Sequence, residues 1–163
     1  MNKKLHIVIG DSNARKSSTI RCLTGAGQGF SRKILEIELM NNSVILVYVK
    51  QSALQENYRL KTPEEFIDFI KSEKPEHFLF ALRAKGTTHK GKQYPDCTVY
   101  IEEFIKAGIE IESIALLGST AIGRRSDIVK IVPSTCAIVE EANSAAQPAN
   151  KTAAKVRKTW GWL

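Results

Sequence analysis

No apolar stretch in this sequence approaches the ~20 residues that a membrane-spanning helix requires. The apolar runs, such as residues 7–10 and 44–49, are short. A lysine pair at residues 3–4 could open a secretory leader, but the apolar stretch after it ends at Asp11 without the small residues of a cleavage site. We therefore expect neither a membrane span nor a secretory signal.

Cysteine is scarce, with only Cys22, Cys97 and Cys136, which lie far apart in the chain. An odd and scattered set forms neither a disulfide framework nor a zinc-ligand pattern. We expect three reduced thiols in a cytoplasmic protein. Internal repeats and low-complexity blocks are also absent from the sequence.

Acidic residues are outnumbered, with 17 Asp and Glu against 24 Lys and Arg, so the formal net charge is +7. A surface of this sign attracts polyanions such as nucleotides, nucleic acid and acidic protein partners. The 163 residues are 43% apolar, which is enough for one domain with its own core and too much for intrinsic disorder. We expect a single domain over residues 1–163, ending in a basic helix at about 148–160.

Short apolar runs alternate with amphipathic stretches along the chain. The runs predict strands at 4–9, 33–40, 43–49, 77–82 and 111–117, with weaker candidates at 128–132 and 135–139; the stretches predict helices at 17–23, 62–74, 96–107 and 148–159. Only Asn41-Asn42 separates the second and third strands, and such a link suits a tight antiparallel hairpin. The alternation predicts an α/β fold with a mostly parallel sheet, in which ligands bind beyond the carboxyl ends of the strands.

The segment between the first strand and the first helix carries the most informative motif. It reads Gly10-Asp11-Ser12-Asn13-Ala14-Arg15-Lys16-Ser17-Ser18. This segment resembles the phosphate-binding loop of P-loop NTPases, in which a glycine, four residues and a second glycine precede Lys and then Ser or Thr. Gly10, Lys16 and Ser17 match that motif in type and spacing. The resemblance implies a three-layer P-loop NTPase-like α/β fold for the chain.

In such a loop the backbone N–H groups point at phosphate, and the start of the helix adds the positive end of its dipole. The resemblance implies that Lys16 reaches the terminal phosphates of ATP or another NTP, and that the Ser17 hydroxyl ligates the accompanying Mg²⁺. Arg15 departs from the motif, since it replaces the second glycine. Its side chain either points outward or takes a phosphate oxygen with its guanidinium.

Acids are missing where P-loop hydrolases usually have one, at the end of a second apolar strand. The predicted strands end in Lys50-Gln51, Arg83-Ala84 and Gly118-Ser119. The catalytic candidates are therefore Lys16, the nearby acid Asp11, and Gln51, which could position a water. The early hairpin also resembles small GTPases, but their guanine-reading Asn-Lys-x-Asp motif is absent.

Basic residues accumulate in the loops that are expected at the Lys16 edge of the sheet. Arg83, Lys85, Arg124 and Arg125 are candidates for binding a second phosphate or a second substrate, as the basic lids of small-molecule kinases do. A solvated loop without a ligand is the alternative.

The C-terminal segment places Lys151, Lys155 and Lys158 at helical spacing. These lysines could bind nucleic acid. We favour an amphipathic helix that packs Val156 and Trp160 on the sheet and turns its lysines to water.

Three functions remain open. The first is a small nucleotide-binding protein, acting as a weak NTPase or a nucleotide-responsive regulator, because the missing acids disfavour fast hydrolysis. The second is a small-molecule phosphotransferase that uses the basic loops as a lid. The third is a non-enzymatic module that binds nucleic acid or an acidic protein. The nucleotide base and the oligomeric state are not specified by the sequence.

Overall fold

The computed structural model describes residues 2–25, 34–56 and 60–163. Strands and helices alternate over these residues, in the following order: β1 (Lys4–Gly10), α1 (Lys16–Thr24), β2 (Ile34–Glu38), β3 (Val44–Ala53), α2 (Pro63–Ser72), β4 (His77–Leu82), β5 (Thr87–His89), β6 (Lys92–Tyr94), α3 (Cys97–Lys106), β7 (Glu110–Leu117), α4 (Ser119–Ile122), α5 (Arg125–Ile131), β8 (Ala137–Glu141) and α6 (Ala149–Trp160). Residues 26–29 of the predicted glycine-rich link, and Lys33, lie outside the described residues.

One six-stranded sheet has the order β2-β3-β4-β1-β7-β8. Its strands are parallel except for β2, which pairs antiparallel with β3. Asn42 adopts a φ of +70° in the turn between β2 and β3, as the Asn-Asn link predicts. The mostly parallel sheet with one early antiparallel strand is confirmed.

Helices cover both faces of this sheet. On one face Phe66 of α2, Phe104 of α3 and Ile128 of α5 pack against the strands. On the other face, Ile20 of α1 and Val156 of α6 pack against the strands. Strands buried on both sides need apolar residues at every position, which is why residues 78–82 form an unbroken apolar run.

The helix α5 corrects one prediction, because residues 128–132 were expected to form a strand. Ile128 is buried whereas its neighbour Val129 is 50% exposed, and Ile131 packs beside the same core as Ile128. This three-residue spacing is helical. The short sequence Ile-Val-Lys-Ile-Val at residues 128–132 fits both a helix and a strand, so the local pattern alone did not distinguish them.

The hairpin β5–β6 was expected to be an irregular basic loop. Its two central turn residues, Lys90 and Gly91, have φ values of +50° and +76°. Positive φ at both positions is typical of the tight turn that joins antiparallel strands. The strands themselves are short and polar, so they lack the apolar alternation that would have predicted them.

The C-terminal helix α6 is confirmed as a packing element. Its buried positions include Ala153, Val156 and Trp160, while Lys151, Lys155 and Lys158 are exposed. Arg157 links α6 to α1 by donating a hydrogen bond of 2.9 Å from Nη1 to the carbonyl of Cys22. None of the helices in the described part of the chain has the length and hydropathy of a membrane span.

Candidate functional site

The carboxyl ends of β1, β3, β4, β7 and β8 meet at one edge of the sheet, because these strands are parallel. The segments that follow them include residues 11–15, 54–56, 83–86 and 118–120. β1 is central in the strand order, so the turn between β1 and α1 lies in the middle of this edge. Ligands of α/β folds bind at such an edge.

Gly10 allows the turn after β1 to fold closely against β7. A Cβ atom on Gly10 would lie 2.7 Å from the Cβ of Ala14 and 2.9 Å from the carbonyl oxygen of Leu117. The backbone N–H of Ala14 donates to the carbonyl of Asp11 at 3.0 Å and closes the turn. Ser12 and Asn13 are exposed at its tip.

Arg15, at the position of the second glycine in the resembling motif, has a backbone conformation that favours glycine. Its backbone is left-handed, with φ +64° and ψ +37°. This conformation suits glycine and costs about 1–2 kcal/mol for other residues. The Arg15 side chain leaves the turn and donates from Nε to the carbonyl of Ala145 at 3.2 Å.

Lys16 begins α1 with its side chain folded back over the turn. The residue is 5% exposed, and its Nζ lies 2.9 Å from the carbonyl oxygen of Asp11 and 3.0 Å from Oε1 of Glu56. Burial lowers the pKa of the Lys16 amine, and the Glu56 carboxylate opposes this shift. The buried cation at the start of α1 is thus paired with the Glu56 carboxylate.

Glu56 is the site residue that the sequence analysis missed. The predicted strand ended at Val49, but β3 continues to Ala53, so Glu56 follows the strand end by three residues. Glu56 also pairs with Arg83 at the end of β4, at 3.8 Å from Nε to Oε1. An acid after a strand end is therefore present, and extending the strand through Lys50 and Gln51 would have located it.

Gln55 fixes the segment that carries Glu56. Its side chain is 2% exposed and hydrogen-bonds the backbone of Arg83 twice, accepting from the N–H at 2.8 Å and donating to the carbonyl at 3.1 Å. The same amide nitrogen donates to the carbonyl of Pro95 at 3.1 Å. The end of β3 is thereby held against the end of β4.

Ser17 lies inside α1 and does not cap it. Its hydroxyl donates to the carbonyl of Gln51 at 3.1 Å. The N-cap residue is Arg15, and no side chain in the described residues caps the first turn of α1. The Gln51 side chain accepts a hydrogen bond of 3.3 Å from Arg21, whose guanidinium also donates to Ser18. No side-chain cap therefore occupies the N–H groups at the start of α1.

The four basic candidates do not form one clamp. Arg83 lies beside Glu56, whereas Arg125 pairs with Glu140 at 2.7 Å, and Lys85 is exposed. Arg124 lines a cavity of about 370 Å³ between the β5–β6 hairpin and the start of α3, where it is 3.7 Å from Asp96.

No protein-family model and no curated protein matches this chain. An α/β layout by itself does not determine function, because such folds carry many activities. Function is therefore inferred from the chemistry of the turn and its surroundings.

Proposed function

We propose that the turn 10–18 binds the phosphate chain of a nucleotide, ATP or another NTP with Mg²⁺, and that the protein is a nucleotide-responsive regulator or a weak NTPase. The observation that carries this proposal is the buried Lys16 amine beside the uncapped first turn of α1. The strand order supports a P-loop NTPase-like fold, since the turn follows the central strand and precedes a helix.

The chemistry of the turn fits a phosphate chain. The Lys16 ammonium supplies a point charge, and the N–H groups of the first turn supply directed donors with the helix dipole behind them. Phosphate oxygens would take over from Glu56 as the counter-charge of Lys16. The residues also fit a hydrated Mg²⁺ that arrives with the nucleotide, because the Ser17 hydroxyl and the Glu56 carboxylate are oxygen donors of the kind it prefers.

Slow hydrolysis follows from what surrounds the turn. The side-chain oxygen of Gln51 already accepts a hydrogen bond from Arg21, so this amide would have to leave Arg21 before it could orient a water. Binding of the nucleotide is therefore the main activity that we propose.

We expect ATP with Mg²⁺ at about 100 times its Kd to stabilise the protein by about 2.7 kcal/mol. For a chain of this size that corresponds to a rise of roughly 5–10 °C in Tm, measured by differential scanning fluorimetry. Lys16→Gln should remove the shift, because it deletes the buried cation. Lys151→Gln, at an exposed position of α6, is the matched control and should keep the shift. The proposal is wrong if ATP, GTP, ADP and inorganic tripolyphosphate all leave Tm unchanged, or if Lys16→Gln responds like the wild type.

A phosphotransferase is the second candidate, and the cavity of about 370 Å³ at Arg124 favours it. Thr87, Thr88 and Asp96 line this cavity together with Arg124, so it offers hydrogen-bonding groups and one cation to an acceptor substrate.

In turnover assays with ATP and a panel of hydroxylated and phosphorylated metabolites, Arg124→Gln should lower turnover about 10-fold or more, as expected for losing a charged hydrogen bond. The ATP-induced Tm shift should persist in this variant. Lys130→Gln on the exposed side of α5 is the matched control. Absence of phosphoryl transfer to every acceptor would reject this candidate and leave the nucleotide-binding function in place.

A further inference from the structure

The β2–β3 hairpin leaves part of one sheet face exposed. Tyr48 of β3 lies on the face that α2 covers, where its ring centroid is 5.0 Å from that of Phe69. Side chains alternate between the two faces of a strand, so Val44 and Leu46 lie on the same face as Tyr48. Leu46 is 52% exposed and Val44 is 53% exposed, so none of the described helices covers this end of the face. Met40, in the turn at the end of the hairpin, is also exposed.

The opposite face of the same hairpin is packed. Ile37 and Val47 are buried there, in the core that contains Ile20 of α1 and Val156 of α6. Mostly parallel sheets are usually covered by helices on both faces. The exposed part of the α2 face therefore has room for one more helix beside α2.

Two glutamates border the exposed apolar side chains. Glu36 lies directly opposite Leu46 in the hairpin, and Glu38 lies directly opposite Val44. Both glutamates are exposed, and neither forms an ion pair within the described ranges. The whole chain has a net charge of +7, so this border has the opposite sign to the rest of the protein. Apolar contact flanked by negative charge complements a segment with apolar and basic side chains.

The outer edge of β2 is already paired beside this border. The Met40 N–H donates to the carbonyl of Gly161 at 2.8 Å, and the Leu163 N–H donates to the carbonyl of Glu38 at 2.9 Å. A strand added at this part of the edge would have to displace residues 161–163. We therefore expect a partner to dock on the face through its side chains rather than to extend the sheet.

We propose that the hairpin face, formed by Glu36, Glu38, Val44 and Leu46, binds a basic amphipathic helix of another protein. Apolar side chains of that helix, spaced by three or four residues, would cover Val44 and Leu46. Lysines or arginines beside this stripe would pair with Glu36 and Glu38. The bound helix would extend the layer that α2 begins.

This inference does not depend on the proposed function. Val44 begins β3, whereas the turn that would bind phosphate follows the carboxyl end of β1. The strands β1, β3 and β4 are parallel, so the hairpin face and the turn lie toward opposite edges of the sheet. A partner on the hairpin face therefore leaves the turn accessible.

Selection from a phage-displayed library of random peptides, each of about 16 residues so that a helix can form, tests the inference. We expect the enriched sequences to carry apolar residues at helical spacing together with lysine or arginine. Isothermal titration with the most enriched peptide should show that Val44→Ser weakens binding about 5-fold, because covering half of an aliphatic side chain has about that effect. Val129→Ser, at a valine of α5 that is 50% exposed, is the matched control and should bind like the wild type.

The charge complementarity has its own test with the same peptide. Glu36→Gln combined with Glu38→Gln should weaken binding about 5-fold at low salt, and the affinity of this variant should depend less on salt than that of the wild type. Glu64→Gln combined with Asp127→Asn removes two exposed acids elsewhere and should change neither property. Each unliganded variant should keep its Tm within about 2 °C of the wild type, because surface substitutions change stability little.

Three results would overturn the inference. The first is a library in which no peptide is enriched on the wild type over Leu46→Ser. The second is enrichment of acidic sequences, or of proline-rich sequences that cannot form a helix. The third is a dimer in sedimentation experiments that Leu46→Ser dissociates, which would assign the hairpin face to a second copy of this chain.

Discussion

Glu56→Ala should lower the free energy of unfolding by about 3 kcal/mol, because breaking a buried ion pair leaves a charge without its partner. The Lys16 side chain is 4% exposed and that of Glu56 is 21% exposed, so water screens this pair little. After the substitution, the Lys16 amine still donates its hydrogen bond to the carbonyl of Asp11. Urea denaturation at pH 7 measures the loss.

A second substitution separates this loss from simple truncation. Lys16→Met in the Glu56→Ala background removes the buried charge and should recover most of the lost free energy. Glu103→Ala breaks the exposed pair with Lys106 and should change the free energy of unfolding by less than about 0.5 kcal/mol. If the Glu56→Ala variant is as stable as the Glu103→Ala variant, the ion pair at the turn does not stabilise the protein and this prediction is wrong.

Acid should destabilise this protein through His6. The residue is 2% exposed in β1, its Nε2 lies 2.9 Å from Nδ1 of His77, and its ring contacts Trp160 and Trp162. Burial, together with the positive charges of His77 and Lys4, lowers the pKa of His6 to about 3. The unfolded chain binds a proton near the ordinary value of 6.5, whereas the folded chain does not until about pH 3. The contribution of neutral His6 to the free energy of unfolding is therefore fully present above pH 6.5 and decreases as the pH falls toward 3.

The expected decrease is about 3 kcal/mol between pH 6.5 and pH 4, at about 1.4 kcal/mol per pH unit for one proton. Burial also lowers the pKa of His77, which adds a loss of the same sign. In His6→Phe, the free energy of unfolding should depend less on pH in this window than in the wild type. The titration of carboxylates contributes equally to both proteins. His89→Gln, on the exposed β5–β6 hairpin, is the control. Both tryptophans of the chain report on this cluster, so their fluorescence follows unfolding. If the free energy of unfolding depends on pH equally in the wild type and in His6→Phe, His6 is not the cause of the acid destabilisation.

The fold was largely predictable because its central strands and two of its helices carry strong local signals. Residues 77–82 form β4 with the predicted bounds, since a strand buried on both faces is a continuous apolar run. The sequence Thr62-Pro63-Glu64-Glu65, with a capping residue, a proline and acids, is typical of a helix start, and α2 begins there with a capping box. Elements with weaker signals were missed, as the polar hairpin β5–β6 and the short helix α5 show.

The site was predictable only where it is local in sequence. The nine residues of the turn contain Lys16, which the resemblance placed at the start of a helix. Glu56 comes to the turn through the strand order, at a separation of 40 residues from Lys16, and no local pattern encodes that order. The orientation of Arg15 likewise depends on Ala145, which is 130 residues away. Long-range partners therefore account for most of what the sequence could not specify.

Amide NMR during titration with Mg²⁺ and inorganic tripolyphosphate tests phosphate binding at the turn most directly. If phosphate binds there, we expect large, saturable shifts for the backbone N–H groups of Lys16, Ser17 and Ser18, because these are the donors that an anion would meet. Lys16→Gln should abolish them. Shifts confined to the exposed lysines of α6, or unchanged spectra at saturating tripolyphosphate, would contradict it.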